Sequence, residues 1–122
     1  MKIVMIGVGS ICFGAKSIYD LTTFKETLNG ATISLVDIDQ ERLALMTSLA
    51  HKMNEKAGCP FTIEASVDRR EVLAGADFVI TSPAIKREEL WEQDWNVLRR
   101  AGCRQTYGEN GGPGSLILTL RN

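Results

Sequence analysis

Gly7 closes the apolar run Lys2–Gly7 (KIVMIG), Gly9 and Ser10 follow at once, and Asp37 stands thirty residues beyond Gly7 at the end of a second apolar run. Glycines between a strand and a helix let backbone approach an anion. The first permits a tight turn, and the second has no side chain to hold the ligand away. A helix starting there turns its unpaired N–H groups and partial positive charge to the same point, which suits a diphosphate. A carboxylate ending the next strand accepts from the hydroxyls of an adenosine ribose and repels a 2′-phosphate. The pattern therefore points to NAD rather than NADP, with Gly7, Gly9, Ser10, Ile11, Asp37 and Ile38 around it. The glycine-to-aspartate spacing exceeds the usual ~20 residues, and the polar stretch from Thr22 to Gly30 accounts for the excess. Two plainer readings stand beside this one. The glycines can form a simple strand-to-helix turn, and Asp37 can cap the next helix, a role for which Asp39 is better placed.

Further residues are weighed in the same way. Cys12 occupies the third position of the G-x-G-x-x-G pattern, where it serves either as a redox-sensitive thiol or as a small filler. Gly14 lies two residues later, where it can relieve helix–strand packing instead. Ser82 and Pro83 end a strand at the edge where a ligand of such a sheet lies, and Glu109 in the loop YGENGGPG can face the same crevice. His51, the single histidine, sits among charges on a helix and reads as solvated. Arg99, Arg100 and Arg104 offset a helix C-terminal dipole more naturally than they bind phosphate.

These positions need a scaffold, and the hydrophobic pattern supplies one. Lys2–Gly7 is a strand buried on both faces, and Ser10 can cap a helix running to about Leu21. Ala31–Ile38 is the second strand. Asp39 caps a helix with Leu43, Met46, Ala50, Met53 and Ala57 at threes and fours, stopped by Gly58. Phe61, Ile63 and Ala65 alternate in a third strand, a short helix spans Asp68–Ala74, and Asp77–Ser82 is the fourth strand. A helix over Lys86–Ala101, a glycine-rich loop over Tyr107–Gly114 and an apolar segment from Ser115 complete the chain. The alternation predicts an α/β, Rossmann-like doubly wound parallel sheet, with the first strand between the second and the fourth. That order leaves Phe78, Val79 and Ile80 on an open edge, which is an aggregation liability. The chain thus reads as the first half of something larger, with residues 1–122 as one dinucleotide-binding domain.

Composition agrees. With 122 residues, 44% apolar, 24% charged and a net charge of −1, the chain suits one globular core and no nucleic-acid partner. No run reaches the ~20 apolar residues of a membrane span. Three widely spaced cysteines, odd in number and without a CxxC pair, favour a reducing cytoplasmic setting over a disulfide framework or zinc site.

The segments MKIVMIGVGSICFG, ISLVDIDQERL, AGADFVIT and RQTYGENGGPGSLILTLRN together resemble the N-terminal domain of glycoside hydrolase family 4, the NAD- and divalent-metal-dependent α-glucosidases, α-galactosidases, α-galacturonidases and 6-phosphoglycosidases. The resemblance implies hydrolysis of a glycoside without the two-carboxylate scheme of most glycosidases. The sugar's carbon 3 is oxidised by NAD, a base removes the acidified proton on carbon 2 beside manganese, and the glycosidic oxygen leaves. Water then adds, and the NADH formed reduces the ketone. It implies cofactor roles for Gly7, Gly9, Ser10 and Asp37, and less directly for Ser82 and Glu109, in a cytoplasmic homo-oligomer. No catalytic or metal residue carries over, because Cys12, Cys59, Cys103 and His51 lie outside the matching motifs. The chain alone is expected to be inactive. The alternatives are a fragment of a lactate- or malate-type dehydrogenase, for which Lys86-Arg87 is only a loose match to the substrate arginines, and a non-catalytic nucleotide-binding module that dimerises through its open edge.

Overall fold

A computed structural model describes residues 1–10, 12–83 and 87–104. The chain divides into two compact units, Met1–Pro83 and Ala84–Asn122. In the first, β1 (Lys2–Ile6), α1 (Phe13–Thr23), β2 (Thr32–Val36), α2 (Gln40–Ala57), β3 (Thr62–Ser66), α3 (Arg69–Leu73) and β4 (Phe78–Thr81) follow in order. The second contributes α4 (Arg87–Arg100). Among the described residues no helix is long and apolar enough to cross a membrane.

The four strands form one parallel sheet in the order β3-β2-β1-β4, with Ile3 opposite both Ile33 and Phe78. The expected order, with β4 at the edge among the described residues, is therefore observed. Consecutive Ile3, Val4 and Met5 are all buried, as a central parallel strand requires. Ile3, Met5, Ile33 and Leu35 join Ile18 of α1 and Leu43, Met46 and Ala50 of α2 in one core, whereas Val4 and Val36 meet Val72 of α3 in a second. Helices thus cover opposite faces. At the edge, Phe78 and Val79 stay 58% and 47% exposed.

Local chemistry sets the ends of the elements. Asp39 caps α2 by accepting from the N–H groups of Glu41 and Arg42, and Gly58 ends it in the left-handed region. α1 runs past the expected Leu21 to Thr23. The Thr22 and Thr23 hydroxyls donate back to the carbonyls of Tyr19 and Asp20 in this last turn. Ser10 Oγ accepts from Phe13 N–H at the start of α1, as anticipated.

Gly14, not Cys12, makes the close helix–strand contact. A Cβ on Gly14 would lie 2.0 Å from the backbone oxygen of Val8, while Cys12 is exposed. Backbone cannot yield as a flexible side chain does, so Gly14→Ala is expected to lower stability by about 2–3 kcal/mol. This holds although alanine favours an isolated helix by ~1 kcal/mol. Chemical denaturation of the two forms measures the difference, and equal midpoints would contradict the packing described.

A polar stripe crosses the α3 face. The buried Ser34 hydroxyl donates to Glu64, and Lys2 Nζ lies 3.2 Å from the same carboxylate. The Ser34 hydrogen bond chiefly, aided by Lys2, holds the Glu64 carboxyl below its usual 4.5 against the opposing effect of burial. Its contribution to stability is present above 4.5 and is lost as pH falls through the lowered folded value. Glu64→Gln should therefore flatten the acid limb of a stability–pH profile below 4.5. A variant with an unchanged slope there would refute that linkage.

Candidate dinucleotide-binding site

The carboxyl ends of β1, β2 and β4 meet at the glycine turn. The N–H groups of Gly7 and Val8 both donate to Val36 O, at 2.8 and 3.3 Å, which fastens the turn to β2. On its other side Ser82 N–H donates to Ile6 O at 2.8 Å. Gly7 has φ +87°, and a Cβ there would lie 2.5 Å from Ser82 O. Only glycine fits both the backbone angle and the approach of β4.

Asp37 binds this turn directly. Its Oδ2 accepts from Gly9 N–H at 2.7 Å and its Oδ1 from Asp39 N–H at 3.0 Å. A Cβ on Gly9 would fall 2.8 Å from Oδ2, so the second glycine is needed for the carboxylate to reach the backbone. Capping of α2 belongs to Asp39, and Asp37 is left facing the turn. A carboxylate has about four acceptor positions, and these two bonds leave capacity for ribose hydroxyls. Ile38, beside it, is 81% exposed, an unusual place for a large apolar side chain and one that suits the face of a base. The chemistry of this donor and acceptor set fits a dinucleotide.

The structure thus brings together Gly7, Gly9, Ser10, Asp37, Ile38 and Ser82. Ile11 and Glu109, with the glycine-rich loop and the apolar segment after it, lie outside the described residues. His51 is exposed in the middle of α2, on the far side of its capped end. Arg99 and Arg100 sit in the last turn of α4, where Arg99 lies over the Trp95 ring at 5.0 Å, and Trp95 stacks on Trp91. The i, i+4 spacing of Trp91, Trp95 and Arg99 carries that signal, although in the sequence it marks only one side of a helix. An open groove lined by Leu43, Thr47, Ser66 and Val67 runs beside β3 and includes none of the expected cofactor contacts.

One neighbour of the turn is not foreseen by the sequence reading. Arg42, in the first turn of α2, places its Cβ 3.1 Å from where a Gly9 side chain would begin. Its Nε lies 3.3 Å from Asp39 Oδ2, and the side chain is 67% exposed. The sequence signal is the pairing of Asp39 with Arg42 at i, i+3. Among the described residues no group of three or more His, Cys, Asp or Glu is placed to hold a metal ion.

Known proteins resemble this chain in sequence and in fold. An α-glucosidase of Erwinia rhapontici is 41% identical over 121 residues, which are 98% of this chain and 26% of that protein. A probable 6-phospho-β-glucosidase of Bacillus subtilis is 34% identical over 128 residues, with 99% of this chain and 27% of the relative covered. The chain therefore spans about a quarter of the length of these relatives. In fold it matches the Thermotoga maritima 6-phospho-β-glucosidase solved with manganese, NAD+ and glucose-6-phosphate, with a TM-score of 0.72, 20% identity, and 84% of this chain and 24% of that one covered. A 6-phospho-α-glucosidase from gut microorganisms in complex with NAD and Mn2+ gives 0.69 at 14% identity, covering 79% and 22%. The model of the family 4 glycosyl hydrolases matches residues 2–122, and with all four motif segments lying essentially inside that span, the chain belongs to this family.

Proposed function

We propose that residues 1–122 form the NAD-binding portion of a glycosidase that cleaves a glycosidic bond by transient oxidation of its sugar. The observation that carries this reading is the Asp37 carboxylate, held against Gly9 with acceptor capacity to spare at the end of β2. The turn Gly7–Ser10 and the first turn of α1 would hold the diphosphate. Asp37 would accept from the adenosine ribose, Ile38 would cover the base, Ser82 would contact the cofactor from the end of β4, and Ile11 and Glu109 are further cofactor contacts of this proposal. When bound, NAD supplies the hydride acceptor for the sugar carbon and returns the hydride at the end of the cycle. The role of these side chains and backbone groups is to bind and orient that cofactor. The family match favours this reading over a lactate- or malate-type dehydrogenase.

The neighbours solved with NAD and manganese support both as requirements of the whole enzyme. The described residues supply no metal cluster, so no manganese ligand is assigned among them. Free Cys12, Cys59 and Cys103 fit a reducing, cytoplasmic location. The exposed apolar edge at Phe78 and Val79 fits a homo-oligomer or further chain covering it.

Calorimetric titration of this chain with NAD tests the site. Binding is expected, with ADP-ribose competing and nicotinamide mononucleotide competing poorly. Asp37→Ala should weaken NAD tenfold or more, the ~1.4 kcal/mol scale of one charged hydrogen bond. A thermal melt of the same variant separates loss of contact from loss of fold. An unaltered titration curve for a folded variant would remove Asp37 from the site.

A further inference from the structure

We propose that Arg42 is the cationic half of a charge selector for the 2′ position of the adenosine ribose, Asp37 being the anionic half. The inference deepens the dinucleotide reading above and rests on it. Three observations carry it. The Arg42 stem stands against the second glycine of the turn, with its Cβ 3.1 Å from the Gly9 side-chain position. Its guanidinium is largely exposed and is paired with Asp39 Oδ2 at 3.3 Å. Asp39 itself is fixed by its cap bonds to Glu41 and Arg42 and by donating its N–H to Asp37 Oδ1. Asp37, Asp39 and Arg42 thus form one chain of contacts around the turn.

Opposed charges at this place have opposite preferences. A carboxylate accepts from a 2′-hydroxyl and repels a 2′-phosphate, whereas a guanidinium binds a phosphate through paired N–H donors. The Asp37 carboxylate, bonded to Gly9, stands nearer the turn, and Asp39 occupies Arg42. The balance favours a free 2′-hydroxyl. An exposed i, i+3 pair is weak, so the guanidinium can leave Asp39 for a dianion once the Asp37 charge is gone. In the unchanged chain the Asp37 carboxylate thus outweighs Arg42, whose guanidinium is a latent 2′-phosphate ligand.

The test titrates the full chain with NAD and NADP in the unchanged form, in Asp37→Ser and in Asp37→Asn, each with and without Arg42→Gln. Asp37→Asn keeps the shape and one acceptor for the turn, so it guards against a serine variant that fails to fold. The unchanged chain should favour NAD at least tenfold. Removing the Asp37 charge should tighten NADP about tenfold. Adding Arg42→Gln should reverse most of that gain, with a larger loss for NADP than for NAD and a shallower dependence of NADP binding on salt. Equal losses for both coenzymes, or none, would overturn the role of Arg42 while NAD binding stands. A folded chain that takes up neither coenzyme would instead overturn the dinucleotide reading, and the selector with it.

Discussion

The hydrogen bond from Gly9 N–H to Asp37 Oδ2, 2.7 Å long, joins the end of β2 to the turn after β1. It is charge-assisted and partly buried, the kind of contact worth about 1.5–3 kcal/mol. Neighbouring constraints converge on it. Val36 O draws Gly7 and Val8 N–H to the same strand end, and Ser82 presses on Gly7 from β4. Three strand ends therefore fix one short segment of backbone. α1 starts from that segment, so the direction in which its first turn presents N–H groups is set by the sheet rather than by the helix itself. Gly14 then lets α1 lie directly on Val8, which keeps the helix N-terminus close to the strand that feeds it.

Much of this is legible in the sequence, and the limits have physical causes. Consecutive Ile3, Val4 and Met5 announce a strand covered on both faces, and the threes and fours of Leu43, Met46 and Ala50 announce α2. Asp39 as the cap leaves Asp37 available, which the structure shows. The end of α1 is not legible, because threonine hydroxyls bonding back to their own helix leave no hydrophobic period. The filler role considered for Cys12 belongs to Gly14, since a packing glycine is placed by where the helix axis lies and not by a fixed count from the first glycine. Arg42 escapes notice for a similar reason. In sequence it is one charge of an ordinary helix start, and only the fold sets its stem beside Gly9, thirty-three residues earlier.

The sheet is unevenly protected. Ile3 and Phe78 are register partners, yet Ile3 is buried and Phe78 is largely exposed. A run of Phe, Val and Ile on a parallel strand is the composition of an interior position. The relatives are about four times as long as this chain, and chain beyond the matched quarter is available in them to complete such a sheet. By contrast the glycine turn is fastened without further chain, because its contacts join β1, β2 and β4 within the first eighty-three residues.

A dual use of Asp37, for the turn and for the proposed ligand, would let such a site be ready before its ligand arrives. Were the carboxylate held only by a ribose, the empty turn would have to order itself on binding and lose affinity to that ordering. Were all its acceptor positions filled by backbone, it would have nothing left to offer. Two bonds to Gly9 and Asp39 fix the plane of the group and leave it further acceptor capacity. In the proposed site a ribose hydroxyl would then meet an acceptor already oriented, beside the exposed, apolar Ile38. The same constraint makes the second glycine indispensable. A side chain at position 9 would begin 2.8 Å from Oδ2 and so push the carboxylate away from the Gly9 N–H that anchors it.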